Sequence, residues 1–241
     1  MKGFILAAGM GSRLKPWTDS HPKALVPVKG VPMLRRVYDR LKSSGIDDLA
    51  VNVFHFADQI IDYINQNDLK VYISDERPVL LETGGAILNA SDFISGNDSV
   101  LIHNADILSN ADLKSLELAH AASGADVTLL VSPRESSRKL IFSPSMHLRG
   151  WHSLKDDAFR PAGYLPVEDD IELAFSGIYI ISPSILDVMR ADNWNGNFPI
   201  MDFLLSSLDK LNILGVNQPD LLLLDIGKPD SLNRADNFVE F

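Results

Sequence analysis

A chain of 241 residues, 46% of them hydrophobic, carries enough apolar material for a substantial core and too much for a disordered protein. A formal net charge of −10 argues against a basic nucleic-acid groove, and the absence of cysteine excludes disulfides, thiolate metal sites and a cysteine nucleophile, which suits a reducing cytoplasm. No run approaches about eighteen apolar residues and the run after Lys2-Gly3 is too short for a signal-peptide core, so a cytoplasmic protein with neither membrane nor nucleic-acid partners is expected.

Phe4-Ile5-Leu6-Ala7-Ala8 is a short apolar run that breaks into Gly9-Met10-Gly11-Ser12-Arg13, the pattern of a buried strand entering a glycine-rich loop. Glycines at 9 and 11 let backbone N–H groups turn towards an anion with no Cβ in the way. Lys2, Arg13, Lys15, Lys23 and Lys29 stand against Asp19 alone in this opening segment of an otherwise acidic chain, which points to a small polyanionic ligand. A Walker loop needs Gly-Lys-Ser/Thr at a spacing absent here, and a dinucleotide fingerprint needs a third glycine where Leu14 stands.

Pro32 suits a first helical position, and Met33, Leu34, Val37, Tyr38 and Leu41 recur at helical spacing until Gly45. Leu49–Val53 predicts a strand, Asp58–Ile64 a helix and Lys70–Ile73 a further strand. After an irregular stretch, Gly84-Gly85 leads into a helix over Ala86–Ala90, whose start offers amides and a positive dipole. Ser99–His103 predicts a strand running into Asn104-Ala105-Asp106, so that the Asp106 carboxylate stands at a strand's carboxyl end, where α/β sheets bind ligands. A helix over Asp112–Ala122 and a strand over Ala125–Val131 follow.

From 132 to 171 the pattern loosens into short antiparallel strands, in which His147, Trp151 and His152 read as packing and surface residues. Ile171–Ile181 is a strand, with Ser182-Pro183 as the cap and first residue of the next helix. A helix over Phe198–Leu208, a strand over Asn212–Val216, the run Leu221–Leu224 ending at Asp225, and a closing helix over Asp230–Phe238 complete the pattern. Alternating strands and helices predict an α/β chain with a mainly parallel sheet covered on both faces.

The order Leu6-Ala7-Ala8-Gly9-x-Gly11-x-Arg13-x-x-Pro16-x-Thr18, then Pro22-Lys23-x-Leu25-x-Pro27-Val28-x-Gly30-x-Pro32, resembles the signature of the sugar-phosphate nucleotidyltransferases. Glu82-Thr83-Gly84-Gly85, Phe175-Ser176-Gly177-Ile178 and Asp225-Ile226-Gly227-Lys228-Pro229 resemble later elements of the same family, with Ala105 where it usually has glycine. Among short members the likeness is greatest to N-acetylmuramate-1-phosphate uridylyltransferases and mannose-1-phosphate guanylyltransferases. It implies a Rossmann-like three-layer α/β/α sandwich with a mixed, mainly parallel central sheet. Residues 1–241 would form a single nucleotidyltransferase domain with a sugar-selecting insertion at about 132–171 and no C-terminal β-helix domain.

The resemblance also implies a reaction, in which a nucleoside monophosphate passes from a nucleoside triphosphate to a sugar 1-phosphate with release of pyrophosphate. Leu6, Ala7, Ala8, Gly9, Gly11, Ser12 and Arg13 would meet the nucleotide together with Glu82, Thr83, Gly84, Gly85 and Asn104. Ser176 and Gly177 would lie beside the sugar, and Asp106 and Asp225 would hold Mg²⁺. Arg13 would engage the β- and γ-phosphates, and Lys23 the α-phosphate or the incoming phosphate. UTP is favoured over GTP and CTP. A phosphocholine cytidylyltransferase-like enzyme and a non-catalytic nucleotide-sugar sensor of the same fold are the alternatives.

Overall fold

The computed structural model describes residues 1–227, 229–235 and 238. The first strand, β1 (Lys2–Leu6), buries Phe4 on one face and Ile5 on the other, so a helix layer must cover each side. Two short strands, β2 (Pro27–Val28) and β3 (Val31–Pro32), then lead into helix α1 (Met33–Ser43), which buries Met33, Leu34, Val37 and Leu41. Pro32 caps that helix from outside rather than opening it. The fully buried β4 (Leu49–Val53), helix α2 (Ala57–Gln66) and β5 (Tyr72–Asp75) follow. Parallel pairing of β5 with Ala50–Val53 sets its ends, which is why it runs past the apolar residues at 70–73 into Ser74 and Asp75.

Helix α3 (Glu82–Asn89) begins before Gly84-Gly85 rather than after them, and a short α4 (Ser91–Ile94) succeeds it. Strand β6 (Val100–Asn104) turns at Ala105-Asp106 into β7 (Ile107–Ser109), which the sequence did not reveal. Asp112 caps α5 (Leu113–Ser123) by accepting the Ser115 amide at 2.9 Å, and β8 (Val127–Ser132) follows. The loose segment supplies β9 (Arg138–Phe142), β10 (Leu148–Ser153) and β11 (Ala158–Arg160), all antiparallel, before the long β12 (Ile171–Ile181).

Helix α6 (Ile185–Ala191) starts beyond the expected Ser182 cap, because the Ser182 hydroxyl instead donates to Ala125 O at 3.1 Å. Helix α7 (Ile200–Ser206), β13 (Ile213–Asn217), β14 (Leu223–Asp225) and α8 (Pro229–Ala235) end the described structure. Lys228 of the last motif and positions 236–237 of the expected closing helix lie outside the described residues.

The strands run in the order β5-β4-β1-β6-β12 and on to β8 and β13, parallel through the first four and antiparallel where β12 enters. The amino-terminal end of β12 leaves this sheet to pair with β9, carrying the β9-β10-β11 excursion away from it. Helices α1, α2 and α5 cover one face and α3, α4, α6 and α7 the other, a mixed, mainly parallel three-layer sandwich. A smaller core of Leu14, Val26, Val28, Met33, Leu108, Leu224 and Ile226 ties the segment after β1 to the β7–β14 pair. Among the described residues no helix is long and apolar enough to cross a membrane.

Candidate active site

The chain leaves β1 at the carboxyl edge of the sheet, and its next residues wall a cleft of about 400 Å³ together with Lys23, Asn52, Glu76, Glu82, Thr83, Asn104 and Asp106. Gly11 must be glycine: its φ is 62°, and a Cβ there would lie 2.7 Å from Thr18 Cγ2 and 2.9 Å from Lys23 Cβ. That close approach brings the following turn, in which Thr18 Oγ1 donates to Gly11 O at 2.9 Å, against the loop and aims Lys23 inward. A Cβ on Gly9 would meet nothing within 4 Å, so the backbone there is open to a ligand.

Four charged side chains gather along one side of the cleft, from its enclosed end to its mouth. The ammonium of Lys23, nearly buried, donates to Asp106 Oδ2 and lies 3.9 Å from Asp225 Oδ1, while Arg13 Nη2 lies 3.8 Å from Asp225 Oδ2. Backbone pairing accounts for the meeting of the two acids: Asp225 on β14 faces Ile107 on β7, and the Ile226 amide donates to Asp106 O at 2.8 Å. Ala105 keeps an ordinary negative φ and its amide donates to Leu6 O at 3.0 Å, so the departure from glycine leaves the turn intact. Glycine at 227 lets Arg13 and Asp225 come together, since a Cβ there would lie within 2.7 Å of both side chains.

Among the described residues no three histidine, aspartate or glutamate side chains gather into a ready-made metal site. What the site offers is two carboxylates sharing one cation, with the Lys23 ammonium standing in that place. Two protein oxygens with the remaining positions left to phosphate and water suit Mg²⁺, so the donor set fits that ion.

A second cavity of about 910 Å³ adjoins the first, sharing Arg13, Thr83 and Asn104 and reaching Asp225, Arg134, Trp151, Phe175, Ser176 and Gly177. Gly177, at φ 78°, packs against Asn104, whose Nδ2 would lie 2.7 Å from a Cβ there. Arg134 donates to Phe175 O at 2.7 Å, and its burial lowers its pKa, an effect that the field of Asp225 opposes.

Not every expected contact is free for a ligand. Gly84 and Gly85 lie outside both cavities, and their amides are spent on Phe198 O at 2.9 and 3.3 Å. They are glycines because Cβ atoms would strike Phe198 Cε2 at 2.3 Å and Gly196 O at 2.1 Å. Glu82 and Thr83 do line the first cleft, although Thr83 Oγ1 also accepts the Ile200 amide at 2.9 Å. Ser176 lines the second cavity, but the residue is 2% exposed and its hydroxyl donates to Leu130 O at 2.8 Å. The amides of Ala7 and Ala8 are taken by Asn52 Oδ1.

Sequence reasoning missed Asn52, Glu76, Arg134 and Arg138; Trp151 does pack against the main core, as read, and also lines the second cavity. Asn52 did carry a signal, as a polar residue within the otherwise apolar run 49–53, whereas Glu76 follows Ser74 and Asp75 in a polar stretch that does not single it out.

A model of the MobA-like NTP transferase domain family matches residues 3–161. This chain belongs to that family. It is 29% identical to an N-acetylmuramate alpha-1-phosphate uridylyltransferase of Caulobacter vibrioides, over 97% of this chain and 94% of that protein. A mannose-1-phosphate guanylyltransferase of Mycobacterium tuberculosis is 34% identical over 52% of this chain and 35% of its own length. The crystal structure of HddC from Yersinia pseudotuberculosis complexed with GMP-PN superposes with a TM-score of 0.74 at 24% identity, over 98% of each chain. The fold is the Rossmann-like fold of the nucleotide-diphospho-sugar transferases.

Proposed function

We propose that this chain transfers a nucleoside monophosphate from a nucleoside triphosphate to a sugar 1-phosphate, releasing pyrophosphate and forming a nucleoside-diphosphate sugar. The observation that carries this reading is the meeting of Arg13, Lys23, Asp106 and Asp225 where the cleft behind Gly9 and Gly11 opens into the larger cavity. A phosphate oxygen of the acceptor attacks the α-phosphorus, the bond from that phosphorus to the bridging oxygen of the β-phosphate breaks, and its electron pair departs with pyrophosphate. The acceptor is already ionised, so no general base is needed. Repulsion between anions is the barrier to relieve.

Arg13, at the mouth of the cleft, binds the β- and γ-phosphates and steadies the leaving group. Lys23, enclosed at the inner end, meets the charge that develops at the α-phosphate. Mg²⁺, held by Asp106 and Asp225, would add Lewis-acid neutralisation of the phosphate oxygens. The excursion at 132–171 contributes Arg134, Arg138 and Trp151 to the larger cavity, which supports reading it as the segment that selects the sugar.

UTP is the first triphosphate to test, ahead of GTP and CTP, because the likeness to a uridylyltransferase extends over 97% of this chain and 94% of that protein, whereas guanyltransferases match over 79% and 78% of this chain and 52% and 51% of their own lengths. A choline-type acceptor is disfavoured. Arg134, Arg138, Lys139 and Arg234 border the second cavity and would repel a quaternary ammonium, and the Arg160 guanidinium already sits 5.9 Å from the Trp151 ring. A matrix of nucleoside triphosphates against sugar 1-phosphates, read by pyrophosphate release with Mg²⁺ present, tests the proposal. Release in at least one pair is expected, and release in none would refute it.

A further inference from the structure

Two polar side chains in the wall of the smaller cleft are bonded in a fixed direction. Asn52, at the carboxyl end of β4, is 3% exposed, and Glu76, immediately after β5, is 4% exposed. Asn52 Oδ1 accepts the amides of Ala7 at 2.6 Å and Ala8 at 3.3 Å, and Asn52 Nδ2 donates to Glu76 Oε1 at 2.6 Å. Glu76 Oε2 accepts the Leu81 amide at 2.9 Å, one residue before α3 begins.

An ionised carboxylate only accepts hydrogen bonds and a backbone N–H only donates, so Glu76 leaves the Asn52 amide a single orientation. The chain of bonds runs along the cleft wall, from the loop after β1 through the ends of β4 and β5 to the residues that precede Glu82 and Thr83. Such an arrangement is costly. Burial raises the Glu76 pKa, the Leu81 and Asn52 hydrogen bonds oppose that rise, and no cation is paired with the carboxylate in the described structure. A neutral apolar pair would fill the same space without that cost but would leave the Ala7 and Ala8 amides unbonded at the point where the chain turns towards Gly9.

We propose that Asn52 and Glu76 are positioning residues for the nucleoside triphosphate: Glu76 orients Asn52, and Asn52 holds the Ala7 and Ala8 amides so that the Gly9–Arg13 backbone faces the phosphates. The assignment rests on the nucleotide reading above. Neither residue needs to touch the reacting atoms.

The polarity of the chain makes it testable by exchange. Asn52→Asp sets two acceptors against each other, and Glu76→Gln presents an N–H to one of two donors. The double variant Asn52→Asp/Glu76→Gln satisfies every bond again. In it the side-chain amide introduced at position 76 would donate to the carboxylate introduced at position 52 and accept from Leu81, while that carboxylate keeps accepting from Ala7 and Ala8. The double exchange conserves charge. UTP and GTP binding by calorimetry should weaken by about tenfold or more in each single variant and return to within about threefold of the unaltered protein in the double variant. KM for the triphosphate should rise in the singles with a smaller change in kcat.

Hydrogen exchange at the Ala7 and Ala8 amides, slow in the unaltered protein, should quicken in the singles and slow again in the double. Singles that bind like the unaltered protein, or a folded double variant whose losses merely add, would overturn the proposal. Should a single variant not fold, the double variant and the exchange rates of the unaltered protein decide, because rapid exchange at Ala7 and Ala8 there would also overturn it. Failure of the unaltered protein to bind either triphosphate would instead remove the nucleotide reading, and this assignment with it.

Discussion

The Lys23 ammonium lies against the Asp106 carboxylate with Asp225 Oδ1 3.9 Å away, so one lysine is shared by two acids that an antiparallel strand pair brings to its same end. Replacing either acid with its amide keeps the shape and removes the charge. Asp106→Asn and Asp225→Asn should each lower turnover by a factor on the order of a hundred or more. Because Lys23 already offsets the repulsion between the acids, the metal-free melting temperature should stay level or fall slightly. Steady-state rates at several Mg²⁺ concentrations and thermal melts in chelator check both parts.

Lys23 and Arg13 should separate by kinetics. Lys23 is enclosed and Arg13 is more than half exposed at the cleft mouth. Lys23→Ala should cost about 2–4 kcal/mol in transition-state stabilisation, by analogy with removing one oriented donor from developing charge, with a smaller change in triphosphate affinity. Arg13→Ala should weaken triphosphate binding more. Single-turnover rates at saturating triphosphate check this, and an unchanged rate in Lys23→Ala would demote the lysine to a structural counter-ion.

Gly84→Ala tests why the glycine pair is there. A Cβ would meet the Phe198 ring at 2.3 Å and Phe198 O at 2.9 Å, and since part of that obstacle is backbone, α3 and the 196–198 segment must part. A loss of about 1–3 kcal/mol in unfolding free energy is expected, the range for overpacking a filled interior. Denaturant titration measures it, and full stability with weakened nucleotide binding would instead restore Gly84 as a ligand contact.

His103, fully buried on β6, should set part of the acid sensitivity. Its Nδ1 lies 2.8 Å from Asn104 O and its Nε2 has no partner among the described residues, and burial pushes its pKa down to about 4. An unfolded histidine titrates near about 6.5, so the unfolded state takes up the proton first. The stability that neutral His103 carries is therefore complete above about pH 6.5 and drains as the pH falls towards 4, about 3 kcal/mol in all. Unfolding free energies across this range should slope less in His103→Gln, and an identical slope would assign the sensitivity to other groups.

Much of this arrangement was legible in the sequence, for identifiable reasons. Apolar runs such as 49–53 and 171–181 read as strands because burial on both faces leaves little room for polar residues. The loop before Arg13 was legible because Gly11 occupies a conformation and a space that exclude side chains. What escaped were features created by contact between distant segments. The β7–β14 pair is too short to show a period, the Gly84-Gly85 pair reads as a helix start until Phe198 packs onto it, and Trp151 reads as packing and surface with nothing to show that the excursion also sets it against the cavity. Asn52 and Glu76 are single polar residues whose meaning lies in each other.

If Arg13, Lys23, Asp106 and Asp225 form a centre for nucleotidyl transfer, the α-phosphorus of the triphosphate must pass to the acceptor, and its fate can be followed. The protein is supplied with Mg²⁺, a sugar 1-phosphate and UTP or GTP radiolabelled at that atom, and the products are separated. Label recovered in a nucleoside-diphosphate sugar, with unlabelled pyrophosphate in equal amount, is the predicted result. Label that stays in the triphosphate, or emerges only as free nucleoside mono- or diphosphate, would contradict it.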